Sequence, residues 1–264
     1  MSVYTELSHH DISAILSNYS LGALSSYEGI AAGIENSNFF VDTDSGRYVL
    51  TIFERMDKTE LPYFMRLMKH LAANGLSCPD VMQQKDDSLL FEVHGKQGCI
   101  VSCLSGRTLD ALSQTQLRSS GESLAQLHLA GADFGEHRDN PTAADWLAEK
   151  IAEVAEKTAQ RYGQDAATLL SSELAFQNSC AWDSLPRGVI HGDLFVDNIL
   201  FEGEQASGII DFYYAHDAPF AMDIAITLNA QAVLLGDDDQ ARIDAFLAGY
   251  ESLRPLETEE REAL

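Results

Sequence analysis

The chain has 264 residues, 45% apolar and 9% aromatic, enough to bury one large or two modest cores and too apolar for a disordered segment. Its 41 acidic and 17 basic residues leave a net charge of −24, which repels nucleic acid and anionic membrane and makes both poor partners. No apolar run approaches the ~20 residues of a membrane span, and the N-terminus has no basic stretch followed by an apolar block, so a cytoplasmic protein is expected.

The N-terminal part reads as strands with one helix. Residues 23–30, 37–43 and 47–54 are rich in β-branched and aromatic side chains, and the turn residues at 42–46 predict a hairpin between the last two. Leu61, Phe64, Leu67, Met68 and Leu71 then fall on one helical stripe, with Thr59 placed to cap its start and Gly75 its end. Residues 88–93 and 98–103 predict a second hairpin, turned at His94, Gly95 and Lys96.

The pattern changes after Gly106. Three helical stretches run to about residue 183, and two short apolar runs, 198–203 and 206–212, predict a small hairpin. Helices resume at 221–235 and 237–253. Pro255 followed by Thr258, Glu259 and Glu260 marks another helix start, and the sequence ends about two turns later. Further helices are expected to follow. The expected organisation is a β-rich lobe over 1–104 and a larger helical lobe over 105–264, with a ligand cleft between them. Cys78, Cys99, Cys103 and Cys180 have neither disulfide-motif nor zinc spacing and read as free thiols of a reducing compartment.

The chemistry is concentrated in HGDLFVDNIL, residues 191–200. Asn198 stands five residues after Asp193, and Asp211 closes an apolar run thirteen residues after Asn198. A short hairpin between them would bring the three oxygen-bearing side chains together. That set suits phosphoryl transfer. Asn198 and Asp211 would hold Mg²⁺, which takes one or two protein oxygens and fills its shell with water and phosphate. Asp193 would accept the proton of an attacking hydroxyl, or orient that hydroxyl. Protein kinases place the same roles on H-R-D-L-x-x-x-N followed by D-F-G; here the runs are H-G-D-L-x-x-x-N and D-F-Y. His191 is expected to support the loop by hydrogen bonding, and Asp197 to be solvated.

These runs resemble the aminoglycoside-phosphotransferase and choline-kinase-like branch of the protein-kinase fold. The resemblance implies a two-lobed α+β protein that binds ATP and Mg²⁺. It also implies that Asp223, in the helix-opening run 221–225, braces the catalytic loop through backbone hydrogen bonds. Residues 29–55, 61–79 and 209–215 more closely resemble bacterial homoserine kinases of this fold. That implies transfer of the γ-phosphoryl group of ATP to L-homoserine, giving O-phospho-L-homoserine for threonine biosynthesis. Aminoglycoside, choline or methylthioribose kinases, and a catalytically dead nucleotide-binding module, are the competing readings.

Two parts depart from the general kinase pattern. Thr51 stands where a phosphate-binding Lys is usual, an absence that the homoserine kinases share. A glycine-rich G-x-G-x-x-G is missing; Gly29, Gly33, Asn36 and Asn38 occupy its place. Mg²⁺ and backbone N–H groups of this loop are expected to carry the phosphate charge, with Arg55 able to swing in. The fold that the resemblance implies would place adenine at the lobe junction, against backbone groups from Ser102 to Ser105, Ser102 and Leu104 among them. For the substrate, Tyr213, Tyr214 and His216 follow Asp211, and Glu35 or Asp217 suits its ammonium group. The sequence names no carboxylate partner and leaves the oligomeric state open.

Overall fold

The computed structural model describes residues 3–31, 33, 35–180, 182–233 and 239–264. The expected strand order holds in the N-terminal lobe: β1 (Leu24–Ile30), β2 (Asn36–Thr43) and β3 (Gly46–Phe53) are antiparallel neighbours. β5 (Lys96–Ser102) pairs with β3, and β4 (Phe91–Val93) closes the edge, giving the order β1-β2-β3-β5-β4. The β4–β5 turn needs only His94 and Gly95, both at positive φ, while Lys96 already pairs with Val93.

Alternation along β3 sorts its side chains between two cores. Leu50 and Ile52 join one with Phe39, Val41, Phe91 and Ile100. Phe53 joins the other, beneath α2 (Leu61–Ala73). The predicted stripe of α2 is buried. Gly75 terminates α2 at φ 86°, and the Leu76 N–H bonds back to the Leu71 carbonyl at 3.0 Å. Thr59 does not cap the helix. Glu60 is its N-cap residue, and the Thr59 hydroxyl bonds instead to Asp57.

A helix absent from the sequence expectation, α1 (His9–Leu16), covers the other sheet face with Ile12, Ile15 and Leu16. Ser8 and Asp11 form its capping box.

The C-terminal lobe is mainly helical. α3 (Gln114–Ala130) packs along α7 (Asp239–Glu251) so tightly that a Cβ at Gly121 or Gly249 would overlap the opposing backbone. α4 (Ala144–Tyr162) and α5 (Gln164–Ser179) form a helical hairpin. Two short antiparallel pairs carry the polar loops. β7 (Ile199–Glu202) and β8 (Gln205–Ile209) form the expected hairpin. β6 (Arg187–Ile190) pairs with β9 (His216–Pro219), a pairing absent from the sequence expectation. α6 (Phe220–Gln231) and α8 (Thr258–Ala263) complete the lobe, and α8 starts at the predicted position. No described helix is long and apolar enough to cross a membrane, and the four cysteines are free.

Candidate active site

The Ile190–His216 pair at the end of the β6–β9 ladder sets the 191–198 loop against the segment after Asp211. Gly192 adopts φ 75°, with His216 and the Tyr214 carbonyl against it. A side chain there would be strained and crowded.

Within the loop, polar groups bind one another. The Phe195 N–H donates to the Asp193 carbonyl at 2.8 Å and the Asn198 N–H to the Phe195 carbonyl at 3.0 Å. Asn198 Nδ2 donates to the Asp193 carbonyl at 2.8 Å and to its carboxylate at 3.2 Å. The Ile210 N–H returns to the Asn198 carbonyl at 2.9 Å, fixing the strand that delivers Asp211. Asp211 itself has φ 66°, a left-handed conformation uncommon outside glycine and characteristic of functional loops.

The expected convergence of Asp193, Asn198 and Asp211 is therefore present. Asp211 keeps exposed surface yet is surrounded by dense protein. Desolvation, then the fields of Asp193, Glu35 and Asp197, push its carboxyl up to about 6. Asp193 is raised by the same means: burial first, then Asp197, with Glu35 adding to it. Glu35 thus lies within electrostatic reach of both aspartates. Asp197 is exposed, as expected, though its charge acts on the site.

Such a carboxylate cluster attracts a cation. Among the described residues no three His, Cys, Asp or Glu side chains gather as metal ligands. The donor set fits Mg²⁺ nonetheless. Asn198 uses its amide nitrogen on Asp193, which leaves its oxygen free to ligate, and Asp211 supplies a carboxylate as the second oxygen donor.

His191 and Asp223 act as braces, as expected. The Asp193 N–H donates to His191 Nδ1 at 3.2 Å, so that nitrogen carries the lone pair and Nε2–H donates to the Ile210 carbonyl at 3.0 Å. Burial lowers the imidazole pKa and favours this neutral form. Asp223, fully buried, accepts the N–H groups of His191 at 2.8 Å and Gly192 at 2.9 Å. Burial alone would raise its pKa; the hydrogen bonds from His128 and the Gly192 N–H act against this, and the carboxyl is left lowered. Sequence reasoning misses two further braces. His128 bonds Asp223 at 3.0 Å, and Gln231 Nε2 donates to the Leu194 carbonyl at 2.9 Å. Both face inward from helices, and only their polarity within apolar stripes signals them.

The sheet side of the cleft differs from the expectation. Gly29 lies inside β1, paired with Phe39, rather than in the phosphate loop. Gly33, at φ 90°, is in the connection, together with positions 32 and 34, which lie outside the described residues. Asn36 opens β2. Asn38, Thr51 and Cys99 form one row across β2, β3 and β5. The buried Thr51 hydroxyl donates to Asn38 Oδ1 at 2.8 Å. Tyr213 reaches the end of this row, 4.0 Å from Cys99 Sγ, with its ring against Phe53 and Phe64. Its half-buried ring packs edge-on against Phe53 and Phe64.

Ser102 gives its N–H to the Asp80 carbonyl at 2.9 Å and takes the Asp80 N–H on its hydroxyl at 2.9 Å. Its N–H is therefore engaged. Tyr214 is exposed, and its carbonyl accepts His216 Nδ1–H at 2.8 Å; His216 is buried with Nε2 unpartnered among the described residues. Asp217 binds the Arg138 N–H at 3.0 Å.

The family model described as "Phosphotransferase enzyme family" matches residues 26–256. The chain is 43% identical to the homoserine kinase of Methylobacillus flagellatus, over all of this chain and 82% of that enzyme. It is 42% identical to that of Neisseria meningitidis, over 99% of this chain and 85% of that enzyme. Its fold matches a spectinomycin phosphotransferase solved with ADP and spectinomycin at TM-score 0.71 and 13% identity, covering 93% of this chain and 80% of that one. An amicoumacin kinase solved with AMP-PNP matches at TM-score 0.73 and 15% identity, covering 94% and 80%. These two similarities carry the fold, a two-lobed protein-kinase-like architecture. The chain belongs to the phosphotransferase enzyme family and, within it, to the homoserine kinases.

Proposed function

We propose that the chain transfers the γ-phosphoryl group of ATP to the side-chain hydroxyl of L-homoserine, with Asp193 as base and Mg²⁺ held by Asn198 and Asp211. The observation that carries this reading is the convergence of these three side chains on one braced loop and hairpin end. Asp193 accepts the hydroxyl proton as that oxygen bonds to the γ-phosphorus. The bond from phosphorus to the β–γ bridging oxygen breaks, and ADP leaves with the electron pair. Bound Mg²⁺ neutralises phosphate charge.

Without a Lys at position 51, the phosphate charge falls to that cation and to backbone N–H groups beside Gly33 and Glu35, between β1 and β2. The backbone of Leu104 receives adenine. Glu35, within electrostatic reach of Asp193, holds the substrate ammonium, and the exposed Tyr214 offers a further contact. Such an enzyme works in the cytoplasm on a small molecule, with no nucleic-acid or membrane partner. A panel of alcohols supplied with ATP and Mg²⁺, read by ADP release and by the phosphorylated product, tests the substrate. L-homoserine is expected to give the highest kcat/KM. Preference for an aminoglycoside, choline or methylthioribose would overturn it, as would nucleotide binding without turnover of any alcohol.

A further inference from the structure

A line of buried polar side chains runs from the 191–198 loop to the last helix. Asp223 holds the loop's N–H groups, and His128 Nε2 bonds Asp223 at 3.0 Å. His128 Nδ1 lies 2.7 Å from the Tyr250 hydroxyl. Arg254 Nη1 donates to that hydroxyl at 3.1 Å and to both oxygens of Glu260 at 2.9 and 3.2 Å. Asp223, Tyr250 and Glu260 have no exposed surface, and His128 almost none.

Donor chemistry fixes the direction of every bond. Asp223 is fully used as an acceptor, so His128 must present Nε2–H to it. Its Nδ1 is then a lone pair, which takes the Tyr250 O–H. The tyrosine oxygen can only accept from Arg254, which is always protonated, and Glu260 balances that charge. The guanidinium also lies 4.4 Å from the centre of the Phe220 ring, on which His128 stacks. In a low-dielectric interior such a chain is cooperative, and one missing member leaves its neighbours unpaired.

We infer that Tyr250, Arg254 and Glu260 are positioning residues for phosphoryl transfer: through His128 and Asp223 they set the position of the loop carrying Asp193. The inference rests on the reading of Asp193 as base. Packing alone would make these residues matter for stability. The relay makes them matter for kcat in folded protein, because Tyr250→Phe removes one oxygen and almost no volume.

The test is steady-state kinetics with ATP, Mg²⁺ and L-homoserine on Tyr250→Phe and Glu260→Gln, beside Phe246→Leu in the same helix as Tyr250 and outside the relay. Each variant's Tm is measured with its kinetics. The relay variants are expected to lose about tenfold in kcat, with both KM values within about twofold. Phe246→Leu is expected to lose Tm and keep kcat. Tyr250→Phe within about twofold of the parent kcat overturns the relay, as does an equal kcat loss in Phe246→Leu. Should Glu260→Gln fail to fold, Tyr250→Phe decides alone. Asp193→Asn is run in parallel. Retained activity there sinks the reading of Asp193, whereas its loss beside unchanged Tyr250→Phe turnover sinks only the relay.

Discussion

His191 Nε2–H donates to the carbonyl oxygen of Ile210 at 3.0 Å, tying the residue that opens the 191–198 loop to the one that precedes Asp211. One neutral imidazole thereby spans the two segments whose carboxylates must converge. His191→Ala would orphan the Ile210 carbonyl and the Asp193 N–H and leave a cavity. A kcat loss of about 10- to 100-fold is expected, with KM little changed. Stability should fall by about 2–4 kcal/mol in urea unfolding.

Asp211 makes the metal-free protein sensitive to pH. Its carboxyl is raised from 3.8 to about 6, so the folded state binds the proton more tightly than the unfolded one. Stability from this group is present at low pH and is lost as pH rises from about 4 through about 6. In EDTA, Asp211→Asn should therefore unfold at a higher temperature than the parent at pH 7.5, and the gap should close toward pH 4. Excess Mg²⁺ should favour the parent.

The α3–α7 interface tests packing apart from chemistry. A Cβ at Gly249 would overlap the Arg118 carbonyl oxygen. Gly249→Ala should cost about 1–3 kcal/mol in denaturant unfolding, despite the better helix propensity of Ala.

Thr51 tests whether the missing lysine can be restored. Its side chain is buried in the row with Asn38 and Cys99, capped by Tyr213. Thr51→Ala should raise the KM for ATP by no more than about threefold, because a neutral hydroxyl bonded to Asn38 carries no charge to lose. Thr51→Lys should not improve it. It would push an ammonium into packed aromatic surroundings and lower Tm. A lower KM for ATP in Thr51→Lys would show that the position still reaches phosphate.

Much of this is legible in the sequence because periodicity and turn residues act locally. The stripe of α2, the turn that joins β2 to β3 and the spacing of Asp193, Asn198 and Asp211 are local signals, and the structure keeps all three. What escapes is short or non-local. α1 goes unseen although Ser8 and Asp11 spell a capping box. β6 and β9 have four residues each, too few for a pattern, and only their pairing makes them strands. His128, Gln231 and Tyr250 sit on separate helices, and their joint meaning depends on tertiary contacts. Chain order says only that Tyr213 follows Asp211; its packing on Phe53 and Phe64 depends on the turn at Phe212–Tyr214 and on tertiary contacts.

The most direct test of the central claim is the Asp193→Asn variant, assayed for phosphorylation of L-homoserine by Mg²⁺ and ATP, with ADP affinity measured on the same sample. A fall in kcat of at least about 1,000-fold with ADP affinity intact is the predicted result. An Asp193→Asn enzyme that still turns over L-homoserine at near the parent rate would contradict the account.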